Sequence, residues 1–119
     1  MPIWKEEARS KYGDVRRWEV SQVTTMRELF RHQMSFNEDI SQWDVSNVRS
    51  TDGMFQGCRS FNQPLDSWSV DRVMSMQLMF SGASSFNQTL ERWNVDQVRN
   101  MWAMFDGSGT TKLKALSRH

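Results

Sequence analysis

Large apolar side chains recur along this chain at a fixed interval of 25 residues. The clearest mark is tryptophan, at Trp18, Trp43, Trp68 and Trp93. Further columns with the same interval are Val20, Val45, Val70 and Val95; Val23, Val48, Val73 and Val98; Phe30, Phe55, Phe80 and Phe105; and Phe36, Phe61 and Phe86. A constant period of this length is typical of proteins built from stacked structural units. The pattern therefore predicts about four units that share one continuous core.

One part of each unit has helical spacing. In the string DRVMSMQLMFSG the apolar residues are three or four positions apart, as on one face of a helix. Possible N-cap residues precede these strings, and glycine follows three of them at Gly57, Gly82 and Gly107. We therefore expect short helices over 22–31, 47–56, 72–81 and 97–106. On this interpretation Gly53 lies inside a helix, so Gly53→Ala is expected to stabilise the chain.

The rest of each unit, as in SFNQPLDSWSV, contains no helical pattern and is expected to be extended. Such segments would stack as short parallel strands, one from each unit. The column of Asn37, Asn62 and Asn87 then has two interpretations: a ladder of side-chain amides along the stack, or ordinary turn chemistry within each unit.

These elements together predict an α/β solenoid. It would be leucine-rich-repeat-like, with about four coils of a short parallel strand and a short helix. Residues 1–13 are expected to form an N-terminal capping helix, residues 14–107 the solenoid, and residues 108–119 a C-terminal cap or tail. Such end caps are needed because the outer faces of terminal units would otherwise expose core residues.

Two stretches of the repeat, FNQPLDSWSVDRVMSMQLMFSGA and FNEDISQWDVSNVRSTDGMFQGC, resemble the BspA-like surface-protein repeat of about 25 residues. The resemblance covers about 14–107. It implies a solenoid related to leucine-rich repeats that serves adhesion or protein–protein contact, and it implies no catalytic residues. This chain departs from the pattern at Gln33, Thr51 and Gly53, which affects local packing.

Composition and charge narrow the function classes. Lys and Arg number 15 against 14 Asp and Glu, and the formal net charge is +1. Such a balance argues against a broad basic surface for nucleic acid. The aromatic residues occupy core columns and are not expected to form a stacking platform for single strands. We therefore expect no nucleic-acid partner.

The chain offers little for catalysis or metal binding. Neither His32 nor His119 has a second ligand at the spacing typical of zinc sites. Cys58, the single cysteine, shares its column with Ala83 and is expected to be a small buried residue without a catalytic base. We therefore predict no enzyme, no catalytic residues, no cofactor and no metal site.

The sequence thus favours a non-enzymatic module that binds another protein or acts as a scaffold. Two alternatives stay open: a structural subunit of a larger assembly, and a carbohydrate-binding surface adhesin. The candidate partner contacts are variable positions between the core columns, namely Trp102, Glu38, Asp39, Arg27 and Leu78. Trp102 stands in a column of polar residues, so either Leu113 and Leu116 cover it or a partner does.

The sequence contains conflicting indications of the cellular location and none of the oligomeric state. The N-terminal residues show no apolar stretch typical of a secretory signal, and no run of apolar residues is long enough to cross a membrane. These features favour the cytoplasm, whereas the resemblance favours a surface or secreted protein. The oligomeric state and the partner stay open.

Overall fold

Residues that are 25 positions apart in the sequence lie side by side in the computed structural model, which describes residues 13–109. Isolated parallel bridges join Thr25 to Ser50, Ser50 to Ser75, and Ser75 to Asn100. We call the corresponding segments units 1 to 4; within the described residues they span 13–33, 34–58, 59–83 and 84–108. Each unit therefore contacts the next one in register.

The predicted α/β solenoid is wrong. Between residues 13 and 109 the structure contains one helix, the short 3-10 helix Val15–Arg17, which Asp14 caps by accepting from the Arg16 amide. Strand pairing is limited to the isolated bridges, so these residues form no sheet. The radius of gyration is 13.5 Å, which is the value expected of a compact chain of this length.

The segments predicted as helices are chains of β-turns. Alternate amides in each segment donate to a carbonyl three residues back, as Met79 does to Met76 at 3.2 Å. The amides between them donate to the next unit instead, as Phe80 does to Met104 at 2.9 Å. A helix needs all its amides for its own carbonyls, and here about half of them join neighbouring units. The parallel pairing therefore lies where helices were predicted, and not in the segments predicted as strands.

Two columns of left-handed residues also exclude a helix. Glu28, Gly53, Leu78 and Ala103 form the first column, with φ between 54° and 61°. The second contains His32, Gly57, Gly82 and Gly107, with φ between 64° and 75°. The glycines expected to end helices therefore supply a positive φ within a turn, where they meet no steric penalty.

The core consists of stacked rings, as the columns predicted. Phe36, Phe61 and Phe86 are buried, with ring centroids 5.7 and 5.9 Å apart along the column. Trp43 stacks on Trp68 at 6.5 Å with an interplanar angle of 3°. Three of the four column tryptophans are buried, and Trp18 in unit 1 is half-buried.

Each buried tryptophan also joins two units through its indole N–H. Trp43 donates to the Val15 carbonyl at 2.9 Å. The next two junctions repeat this contact: Trp68 donates to the Ile40 carbonyl at 3.0 Å and Trp93 to the Leu65 carbonyl at 2.7 Å. A buried indole N–H without an acceptor would be costly, so these bonds fix where each ring lies.

Nearly all of the expected N-terminal capping helix over 1–13, and nearly all of the C-terminal cap over 108–119, lie outside the described residues. Within the part of the chain that the structure describes, no helix has the length and apolar character needed to cross a membrane.

Candidate interaction surface

A hydrogen-bonded row of polar side chains runs along one face of units 2 to 4. The Asp52 carboxylate accepts from the Ser75 hydroxyl, from the Gln77 amide at 3.1 Å and from the Gln77 side chain at 3.3 Å. The Asn100 side chain donates to Gln77 Oε1 at 3.1 Å. These residues are half-buried, and their polar groups are paired with one another. We call this row the polar ladder.

Trp102 lies where the polar ladder ends. Its amide donates to Asn100 Oδ1 at 3.0 Å, and its carbonyl accepts from the Leu78 amide at 2.9 Å. Its side chain is 68% exposed, the largest exposure among the large hydrophobic residues that the structure describes. Both backbone polar groups of Trp102 are therefore hydrogen-bonded, while its indole faces outward.

The structure brings together only some of the five predicted contact residues. Leu78 is half-buried beside Trp102, to which its backbone is bonded. Arg27 lies on the same face but in unit 1, exposed and 3.7 Å from a carboxylate oxygen of Glu28.

The remaining two residues, Glu38 and Asp39, belong to another part of the surface, before the Trp43 column. Glu38 is half-buried and Asp39 is exposed. Hydrogen bonds from the Ser41 hydroxyl and amide lower the pKa of Asp39, so its carboxyl stays ionised at neutral pH. Asp39 faces a shallow groove of about 450 Å³ whose wall also contains Arg16, Trp18 and Gln42.

Neither Arg16 nor Gln42 was among the predicted residues. Arg16 is ion-paired with Asp14, and this pair raises its pKa. Each stands in a column whose residue type changes between neighbouring units, so the repeat contains no signal for them.

A second ladder follows the asparagine column and confirms the first of its two interpretations. The Oδ1 atom of Asn37 accepts from the Asn62 amide at 2.9 Å, and Asn62 accepts in the same way from Asn87 at 2.9 Å. The glutamine that follows each donating asparagine adds a side-chain hydrogen bond to the same Oδ1 atom. Gln88, for example, donates to Asn62 at 3.0 Å. This asparagine ladder pairs backbone amides at successive units.

Cys58 is fully buried, as its column with Ala83 predicted. Its thiol donates to the Phe30 carbonyl at 2.9 Å, and burial raises its pKa to about 12. The thiolate, which is the nucleophilic form, is therefore scarce at neutral pH. Among residues 13–109, no group of three or more His, Cys, Asp or Glu side chains is arranged to hold a metal ion.

A comparison with known families decides what the chain belongs to. The model of the family described as "Mycoplasma protein of unknown function, DUF285" matches residues 3–118. The chain belongs to this family. The match includes the whole of the described structure, and with it both ladders and Trp102. No curated protein and no solved structure matches the chain, so the family assignment carries no activity with it.

Proposed function

We propose that this chain is a non-enzymatic module that binds another protein through the surface around Trp102. The observation that carries the proposal is the 68% exposure of Trp102, whose own amide and carbonyl are hydrogen-bonded. Tryptophan is enriched among the residues that dominate protein interfaces, because it buries a large area at a small cost in side-chain entropy.

The setting of Trp102 supports a protein partner. The polar ladder beside it consists of short side chains already bonded to one another, so it presents a fixed surface. Leu78, which is half-buried and bonded through its amide to the Trp102 carbonyl, adds an apolar side chain to this surface. An apolar anchor beside satisfied polar groups is the usual arrangement of an interface core and its rim.

The resemblance of the repeat to BspA-like surface proteins favours a partner at a cell surface, in an adhesive role. An indole can also stack on a sugar ring, which keeps a carbohydrate ligand as the competing hypothesis. A glycan array probed with the purified chain separates these two ligand classes.

The test is capture of protein partners from native lysate by three forms of the chain. Trp102→Ala should lose the captured protein and keep its melting temperature, because the indole is mostly in solvent. The matched control is Met34→Ala, since Met34 is 57% exposed in a different column. Equal capture by the original chain and by Trp102→Ala would contradict the proposal.

A further inference from the structure

Most of the backbone hydrogen bonds that join the units run in the same direction. In unit 1 the amides of Met26, Glu28, Phe30 and His32 donate to carbonyls of unit 2, and the residues 25 and 50 positions later donate to the following unit in the same way. Fewer bonds run in the opposite direction, as in the single row in which Arg49 donates to Thr24, Met74 to Arg49 and Arg99 to Met74. An example of the prevailing direction is the row in which Met26 donates to Ser50, Thr51 to Ser75, and Met76 to Asn100, with N–O distances of 2.8 to 3.0 Å. Three more rows run beside it, and aligned peptide dipoles add up as they do along a helix.

The two ends of these rows are therefore complementary. In unit 4 four amides have no acceptor among the described residues: those of Met101, Ala103, Phe105 and Gly107. In unit 1 the equivalent carbonyls have no donor among the described residues: those of Thr25, Arg27, Leu29 and Arg31. We call these the amide edge and the carbonyl edge.

We propose that a second copy of this chain stacks head to tail on the first, with its carbonyl edge on the amide edge. The contact would repeat the three junctions inside the chain. Two amide edges facing each other would place donor against donor, so a symmetric tail-to-tail pair is disfavoured. This inference names the partner for the surface around Trp102, and to that extent it rests on the proposed function.

The apolar side chains that are incompletely buried at the two edges would also pack against each other. Inside the chain Thr51 contacts Met79 of the next unit, through a bond of 3.1 Å from its hydroxyl to the sulfur. The same register would place Met101 of one copy against Leu29 of the other. Met101 is half-buried, and Leu29 is 43% exposed although Met54, Met79 and Met104 in its column are buried.

The charged and aromatic columns match as well. Head-to-tail stacking would place Arg31 of one copy beside Asp106 of the other, and Arg16 beside Glu91. It would also place Arg27 beside Trp102, where a guanidinium can lie on the indole face. All six side chains are exposed in this chain. Met26 and Phe30 of unit 1 are already buried, so the joint would rest on the backbone edges and these side chains.

A head-to-tail contact does not close on itself, so association should continue beyond a dimer. Sedimentation velocity on the full chain, from micromolar to millimolar concentration, should show a mass that rises steadily. A mass that stays at one chain over this range would overturn the inference. If Trp102-dependent capture of a different protein persisted in that case, the proposed function would stand without it.

Two single-edge variants test the geometry. Met101→Pro removes one amide of the free edge and keeps the turn in which Met104 donates to the Met101 carbonyl. Leu29→Asp places a negative charge at the carbonyl edge. Each variant alone should weaken association about tenfold or more, and Met34→Asp should not. Asp106→Lys provides a second amide-edge variant if Met101→Pro lowers the melting temperature.

Mixing the two variants gives the decisive result. Met101→Pro keeps an intact carbonyl edge and Leu29→Asp keeps an intact amide edge. An equimolar mixture should therefore form a one-to-one pair that grows no further. Association of either variant with itself at the original strength, or no pairing in the mixture, would overturn the inference.

Discussion

Gly53 shows how a residue that looks unfavourable in one element can be required in another. Its φ of 61° is in the left-handed region, and a Cβ atom there would lie 3.1 Å from the Gln56 side-chain oxygen. In a helix Gly53→Ala would be stabilising, which was the expectation from the sequence. In the turn that the structure has instead, the added Cβ is strained.

We therefore predict that Gly53→Ala lowers the free energy of unfolding by about 1 kcal/mol. The reverse change at the same column, Ala103→Gly, should raise it by a few tenths to about 1 kcal/mol, because Ala103 already has a φ of 54°. Urea denaturation measures both. A stabilising Gly53→Ala would indicate that the left-handed turn is not the conformation in solution.

The turn-rich segments explain why the elements could not be predicted from the pattern. The hydrogen bond of a β-turn spans three residues, and that of an α-helix spans four. Successive turns therefore place apolar residues at nearly helical spacing. Glu28, Leu78 and Ala103 have good helical propensity and yet have positive φ. The choice depends on amides that bond to another unit, and a local pattern contains no information on such partners.

Burial was easier to predict than backbone conformation. Phe61, Trp68 and Met79 are buried as their columns predicted, because an interval of 25 residues shows which side chains meet, whatever the backbone conformation between them. The candidate surface was partly predictable for the same reason, since Trp102 interrupts a polar column. Arg16 and Gln42 were not, because a groove at one end leaves no mark that repeats.

The asparagine ladder provides a test at the level of these elements. Asn62 accepts two hydrogen bonds from unit 4, from the Asn87 amide and the Gln88 side chain. We predict that Asn62→Ala lowers the free energy of unfolding by about 1 kcal/mol, since the Asn87 amide loses its partner. The Gln88 side chain keeps only its bond to the Asn62 backbone carbonyl, at 3.2 Å.

The control for this prediction is Asn87→Ala. Among the described residues no donor reaches the Asn87 side chain, so its loss should have a much smaller effect in thermal or urea unfolding. Equal losses for the two variants would mean that the ladder is not the source of the stability.

The whole molecule should tolerate the removal of one complete unit. Deletion of residues 59–83 brings unit 4 against unit 2 with every column still aligned, so that Thr51 can donate to the Asn100 carbonyl. We predict a folded chain with a lower melting temperature and buried tryptophans, as measured by fluorescence.

The matched comparison is deletion of residues 59–81. This deletion removes two residues fewer, so every column of unit 4 is displaced by two positions from the same column of unit 2. This chain should lose its cooperative transition, because buried rings would then face polar positions. If both deletions behaved alike, alignment between units would not be what holds the molecule together.

The indole bonds make each internal boundary of this molecule separately observable. Trp43, Trp68 and Trp93 each report on a different pair of neighbours, because each donates across one boundary only. Their side-chain N–H resonances give a spectroscopic marker for every boundary without any label being attached. Melting followed through these signals would distinguish a molecule that opens all at once from one that frays from an end.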